Sequence, residues 1–241
     1  MTAVATLGPG LEQRLAAICA RYQLDERVRA ALEQLLQALA SDPHAPTSAR
    51  DPTAAVDIHI ADSLSALELE LVRHALTIAD LGAGAGFPGL ALAAALPEAR
   101  VHLIESVQRK AGFIAAAARA AKLDNADAVA SRAEDWTAGI GANDVVTARA
   151  LAPLAVICEY AAPLLVRDGA LVAWKGVRDT AEEARAHAAA AELGLEPVAV
   201  RPVHPYEGAQ DHHLHVYLKV RDTPDRFPRR AGIARKRPLG G

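Results

Sequence analysis

The stretch DLGAGAGFPG (80–89) holds the densest chemical signal in the chain. Gly82, Gly84 and Gly86 admit positive φ and let a ligand approach the backbone where a Cβ would block it. Pro88 suits the first turn of a helix, where its missing N–H costs little. Asp80 precedes the glycines, and Glu105 ends the next apolar run. A carboxylate at the end of a second strand accepts both hydroxyls of a ribose. A sheet that binds NAD needs this, and so does one that binds S-adenosylmethionine. Gly84-x-Gly86-x-x-Gly89 also fits the dinucleotide fingerprint, whose acid stands about 20 residues further on. A purely structural strand-to-helix turn needs no such acid.

Several features separate the two cofactors. Asp80, Leu81, then Gly82-x-Gly84 is the acid-x-Gly-x-Gly order of methyltransferases. The Tyr-x-x-x-Lys pair of many dehydrogenases is missing: Tyr22, Tyr160, Tyr206 and Tyr217 are followed four residues on by Glu, Leu, Gln and Arg.

The turn must be positioned by strands, and the chain supplies them. LTIADL (76–81), VHLIE (101–105), DAVA (127–130), DVVTA (144–148) and GALVAWK (169–175) are short apolar runs. Helical segments follow the turn and occupy 108–122, 153–165 and 178–193. This alternation predicts an α/β fold with a mostly parallel, Rossmann-like sheet covered on both faces. EPVAVRPV (196–203) and HLHVYLKV (213–220) follow with almost nothing helical between them, so a terminal antiparallel hairpin is expected. Before residue 75, Leu11, Leu15 and Ile18, then Val28, Leu32, Leu35, Leu36 and Leu39, recur at helical spacing. The expected organisation is a helical extension over 1–74, a ligand-binding domain over 75–224 and a basic tail over 225–241.

Charge is unevenly placed. The 241 residues carry a formal net charge of −3, yet 225–241 hold six basic side chains and one acid. An acidic body with a local cationic tail points to a polyanionic partner. Cys19 and Cys158 are far apart and form no CxxC, against a disulfide framework or a structural zinc. No uncharged apolar run is long enough for a membrane span. A reducing, cytoplasmic setting is the resulting expectation.

Taken together, these segments resemble the bacterial small-subunit (16S) ribosomal RNA guanine-N7 methyltransferases of the glucose-inhibited division protein B family. The match runs in order through HIADSL (59–64), DLGAGAGFPG (80–89), IESVQRKAGFI (104–114), SRAEDW (131–136), DVVTARALAPL (144–154), WKG (174–176) and FPRRAGIARKRPL (227–239). It is poorer over 1–46. There Ala45-Pro46 stand before Thr47, where the family often has an asparagine. The resemblance implies a class I S-adenosylmethionine-dependent methyltransferase with an N-terminal helical extension. Its cofactor would lie against Asp80, Gly82, Gly84, Gly86 and Phe87, with the ribose on Glu105. Ala133 and Glu134 would lie on the adenine side. Arg149 would be the active-site arginine, touching cofactor or substrate. The partner would be 16S ribosomal RNA, within a small subunit or its precursor.

Guanine N7 has a free lone pair and no proton to lose, so attack on a sulfonium methyl needs no general base. Alignment then supplies most of the rate, and Arg149 is expected to hold the guanine or its phosphate with a rigid fork of donors. Cys158, inside an expected helix, reads as a packed thiol and not a nucleophile. His212, His213 and His215 lack a fitting third ligand nearby, so no metal is expected. Lys110, Lys175, Arg229, Arg230, Arg235 and Lys236 are expected to touch RNA phosphate. The prolines and glycines of the tail argue against a helix there. A non-catalytic, nucleotide-binding regulator on the same fold is the alternative.

Overall fold

The computed structural model describes residues 8–47, 49 and 51–241. Residues 1–7 of the expected helical extension, and Ser48 and Arg50 of the segment after Thr47, lie outside them.

Two helices open the fold, α1 (Pro9–Tyr22) and α2 (Glu26–Ser41). Asp25 caps α2 by accepting the Val28 N–H at 3.0 Å, which satisfies one of the orphan donors of the first turn. Leu32, Leu35, Leu36 and Leu39 form the buried stripe of α2, each Leu contributing roughly 1.5–3 kcal/mol by leaving water. Short helical turns follow: α3 (Pro52–Ala55), a π-helical turn (Val56–Ala61), α4 (Asp62–Leu64), a 3-10 turn (Ser65–Glu68) and α5 (Glu70–Arg73).

The sheet then begins with β1 (Thr77–Leu81), α6 (Gly89–Ala95), β2 (Arg100–Ile104), α7 (Gln108–Ala120), β3 (Ala126–Val129) and β4 (Asn143–Arg149). It continues with α8 (Leu154–Ala161), β5 (Leu165–Lys175), α9 (Thr180–Leu193), β6 (Leu195–Val203) and β7 (His212–Lys219). The strand order is β3-β2-β1-β4-β5-β7-β6. The first five strands are parallel, and β7 is antiparallel to both β5 and β6. β5 starts at Leu165, earlier than its apolar run alone indicates, because Leu165 already pairs with Asn143 before a register shift.

The strand order reverses between β1 and β4, and ligands of such sheets bind outside the carboxyl ends of the strands at that point. On one face, Leu15, Leu32 and Leu36 of the first two helices share a core with Leu90, Leu92 and Ile114 of α6 and α7. On the other, α8 and α9 pack with Phe227 and Ala234 of the C-terminal segment. That segment contains a single helical turn, α10 (Ile233–Lys236), started by Gly232 at φ +82°. This corrects the expectation of a helix-free tail. Pro228 and Pro238 flank the turn without entering it, and Gly232 supplies the left-handed residue that starts it.

Candidate active site

The glycine turn leaves β1 with Gly82, Gly84 and Gly86 at φ +64°, +59° and +95°. A Cβ built on Gly84 would touch no protein atom but the Gly82 carbonyl, at 3.8 Å. The turn therefore leaves a gap at Gly84 that protein atoms do not fill. Asp80 lies beneath it and is fully buried. Its carboxylate accepts the Gly89 N–H and the Thr147 hydroxyl, each at 2.9 Å, tying β1 to β4 and to the start of α6. Burial pushes its pKa up to about 6. Asp80 thus braces the turn from below and does not line the cavity.

That cavity, of about 410 Å³, is bounded by the turn, by Phe87 and His59, and by Glu105, Lys110, Arg149 and Arg235. Glu105 accepts the Val107 N–H at 2.8 Å and the Gly84 N–H at 3.1 Å. These use two of the roughly four acceptor sites of a carboxylate, so it retains capacity for ligand hydroxyls. Glycine backbone, an acid placed for a ribose and an unfilled gap at Gly84 together fit an adenosyl cofactor. Gly86 shapes the turn from outside the lining: a Cβ there would strike Leu90.

Arg149 ends β4, and its guanidinium is held by the N-terminal helices. Nη1 donates to the Ile58 carbonyl at 2.7 Å and to Asp62 at 2.8 Å. Nη2 lies 3.4 Å from both His59 Nδ1 and the Phe87 carbonyl. The π-helical turn brings Ile58 and His59 to this position, and such turns often occur at functional sites. The fork expected to grip a guanine is therefore engaged with protein. His59 stacks on Phe87 with ring centroids 4.9 Å apart, and its Nε2 meets the Thr47 hydroxyl at 2.7 Å. Burial, then the Arg149 charge, push its pKa down to about 4. At pH 7 it is neutral.

Behind Arg149, the other Asp62 oxygen meets His212 Nδ1 at 3.1 Å. The backbone carbonyl of Asp62 accepts the Trp174 indole N–H at 3.0 Å. Asp62, His59, Trp174 and His212 were not singled out from the sequence as site residues. The segments HIADSL and WKG contained the signal for three of them, since each pairs a polar or aromatic side chain with the end of an element.

Several expected contacts stand elsewhere. Ala133 and Glu134 lie outside the cavity lining, and Glu134 accepts the Gly232 N–H of the tail at 2.9 Å. Lys175 is ion-paired to Glu182 at 2.7 Å. Arg229 forms a two-bonded pair with Glu159, only 2% exposed, and also donates to the Arg237 carbonyl. Its charge is neutralised inside the protein, which corrects its reading as a phosphate contact. Arg235 donates to the Leu151 carbonyl at 3.0 Å and lines the cavity. Arg230 and Lys236 are exposed. His213 meets the Gly176 carbonyl, and His215 is buried 4.0 Å from Glu183. Among the described residues, no three His, Cys, Asp or Glu side chains form a cluster able to hold a metal. No described helix is long and apolar enough to cross a membrane. Cys19 and Cys158 are free and buried.

The family model described as rRNA small subunit methyltransferase G matches residues 29–213. A protein of Rubrobacter xylanophilus named ribosomal RNA small subunit methyltransferase G is 41% identical over 198 residues, covering 80% of this chain and 76% of that one. Its namesake in Chloroflexus aggregans is 38% identical over 196 residues, covering 80% and 82%. Among solved structures, Aeropyrum pernix fibrillarin with natively bound S-adenosyl-L-methionine has a TM-score of 0.51 at 20% identity, over 65% of this chain and 72% of its own. That likeness concerns the fold alone.

Proposed function

The chain belongs to the rRNA small subunit methyltransferase G family of S-adenosylmethionine-dependent enzymes, and we propose that its target is N7 of a guanine in 16S ribosomal RNA. The observation that carries the cofactor assignment is the open gap at Gly84, with the Glu105 carboxylate beside it. On this reading Gly82, Gly84 and Phe87 bound the cofactor, Glu105 accepts its ribose hydroxyls, and Asp80 and Gly86 hold the turn in shape. Ala133 and Glu134 support the adenine side indirectly, through the turn that Glu134 fastens to the tail. When bound, S-adenosylmethionine supplies an electrophilic methyl on a sulfonium.

The residues of this chain then have no proton to move. Methyl transfer to the N7 lone pair would leave the positive charge on the purine, so no side chain of the site would have to accept a proton. Neutral His59 is not required as a base. The work of the site is alignment, in which a fixed Arg149–Asp62–His59 brace keeps the β4 loop and the N-terminal helices in one place. Effective concentrations gained this way lower barriers by up to roughly 7–11 kcal/mol in favourable cases.

In A-form RNA the groove bearing N7 is too narrow for side chains, so the target guanine is presented in a loop or splayed out. Lys110 and Arg235 at the cavity, with exposed Arg230 and Lys236, are the cations proposed to meet RNA phosphate. The enzyme acts in the cytoplasm on a small subunit or its precursor. The helical extension (1–74), methyltransferase domain (75–224) and tail (225–241) each contribute to the cleft. The regulator alternative finds no support among the relatives, which are named as methyltransferases.

The test is nucleoside mass spectrometry of small-subunit RNA from a deletion strain. Loss of one 7-methylguanosine is expected, restored by the wild-type gene and not by Gly84→Val. An unchanged 7-methylguanosine content on deletion rejects the assignment of base and atom. Full rescue by Gly84→Val removes the turn from the cofactor site.

A further inference from the structure

A second cavity, of about 260 Å³, adjoins the first and shares Arg149 and Ala150 with it. Its remaining walls include Asp62, Ala152, Trp174, Lys175 and His212. A cleft of this size has room for a single nucleobase. We propose that this cavity receives the splayed-out target guanine, with the Asp62 carboxylate accepting from its donor-rich edge. The inference rests on the function proposed above and adds where the base sits and what distinguishes it.

Three observations carry it. The first is charge. Both cations in the wall are already compensated, Arg149 by Asp62 at 2.8 Å and Lys175 by Glu182 at 2.7 Å. A wall without net positive charge suits a neutral base better than a phosphate. The second is acceptor capacity. Asp62 is 6% exposed and takes one partner on each oxygen, Arg149 and His212. A carboxylate offers about four acceptor sites, so two remain. Guanine presents N1–H and the N2 amino group on the edge away from N7, a pair of donors that adenine lacks there. A site built to bind donors rejects an analogue without them, because its own polar groups would stay unpaired.

The third is the shared wall. Ala150 stands at φ +52°, a left-handed conformation that non-glycine residues rarely hold, and such strain gathers at ligand clamps. Ala150 belongs to both walls, so a base in the second cavity would lie beside the first. The Trp174 indole, fixed by its bond to the Asp62 carbonyl, forms a rigid side of the pocket and also reports on it.

The experiment uses the full chain carrying Trp136→Phe, which leaves Trp174 as the remaining indole. With S-adenosylhomocysteine bound, Trp174 emission is followed as guanosine or adenosine monophosphate is added at millimolar concentrations. Saturable quenching by the guanine nucleotide is expected, with at least tenfold weaker response to the adenine one. Asp62→Asn, which exchanges an acceptor for a donor, should erase that preference. Ala152→Phe should fill the pocket: nucleotide quenching disappears and methylation of small subunits falls at least 100-fold, while S-adenosylhomocysteine binds within threefold of wild type by calorimetry. No guanine response, equal response to both nucleotides, or methylation within threefold of wild type in Ala152→Phe overturns the proposal. If 7-methylguanosine still depends on the gene in that case, the pocket alone is rejected. Loss of that dependence rejects the function itself.

Discussion

The glycine turn and the C-terminal tail border one cavity but keep their shapes by different means. The turn is held first by its own backbone, with three left-handed glycines and the Gly86 N–H to Ala83 carbonyl bond, and then by two carboxylates, Asp80 underneath and Glu105 on the Gly84 N–H. The tail is held by side chains that reach far along the sequence. Arg229 grips Glu159, Gly232 meets Glu134, Arg235 reaches the Leu151 carbonyl, and Phe227 is buried against α8 and α9. A turn of the first kind rests on its backbone first and on two carboxylates after it. A strap of the second kind depends on each anchor. Its arginines are therefore of two sorts, those that fasten the strap and those left for a partner.

The largest expected effect breaks the strap. Arg229→Ala leaves Glu159 buried without its partner, a change that costs about 3–5 kcal/mol. Denaturant unfolding at neutral pH measures it. A loss under about 1 kcal/mol means that the tail is not held by this pair. The corresponding test of the turn is read in binding, with unfolding measured beside it because Glu105 also accepts the Gly84 and Val107 N–H groups. Glu105→Ala should weaken S-adenosylmethionine by roughly 1.5–3 kcal/mol, the range of a hydrogen bond to a charged group. Calorimetry reads this directly, and a change below about 0.3 kcal/mol removes Glu105 from the ribose.

A third prediction concerns the brace between the N-terminal helices and the turn. Buried His59 has its pKa lowered from 6.5 to about 4. Between these values the unfolded chain binds a proton that the folded protein does not, so His59 makes stability fall as pH falls. From pH 7 to pH 5 this is about 2 kcal/mol at ~1.36 kcal/mol per pH unit. Asp80, raised from 3.8 to about 6, has the opposite sign: below its folded pKa, stability rises as pH falls. Asp80 is present in both proteins when wild type is compared with His59→Gln. The variant should therefore lose about 2 kcal/mol less on acidification, measured by unfolding at the two pH values. Parallel pH profiles contradict the burial of a neutral His59.

The smallest effect separates the two sorts of cation in the tail. Arg230→Ala with Lys236→Ala should leave stability within about 0.5 kcal/mol of wild type, as expected for surface positions. RNA binding should lose up to about 1.4 in log–log salt slope if both side chains touch phosphate, at ~0.7 per contact on single strands. An unchanged slope removes Arg230 and Lys236 from the RNA contact.

Much of the fold was legible before any coordinates. The strands showed as short apolar runs, and the antiparallel hairpin showed because 204–212 contain no helical pattern. The turn was legible because its requirement, left-handed backbone, is met locally by glycine. The start of β5 was not, since Leu165 enters the sheet only by pairing with Asn143. The short helical turn in the tail was also missed, because its helical turn is flanked by prolines that argue locally against it.

By itself the sequence determined the doubly covered, mostly parallel sheet, the glycine turn with Glu105 one strand away, and the edge of the sheet on which ligands gather. These follow from hydrophobic period and backbone freedom, which act over a few residues. Only the tertiary structure decided which charges are free. Arg149, Lys175 and Arg229 looked like open cations, yet Asp62, Glu182 and Glu159 neutralise them from 87, 7 and 70 residues away. It also decided that Asp80 is a buried brace and that His59, Asp62, Trp174 and His212 meet around one arginine. Ion pairs and buried hydrogen bonds depend on distances in space, and a residue's type records what it is able to bind without recording which partner the fold brings to it.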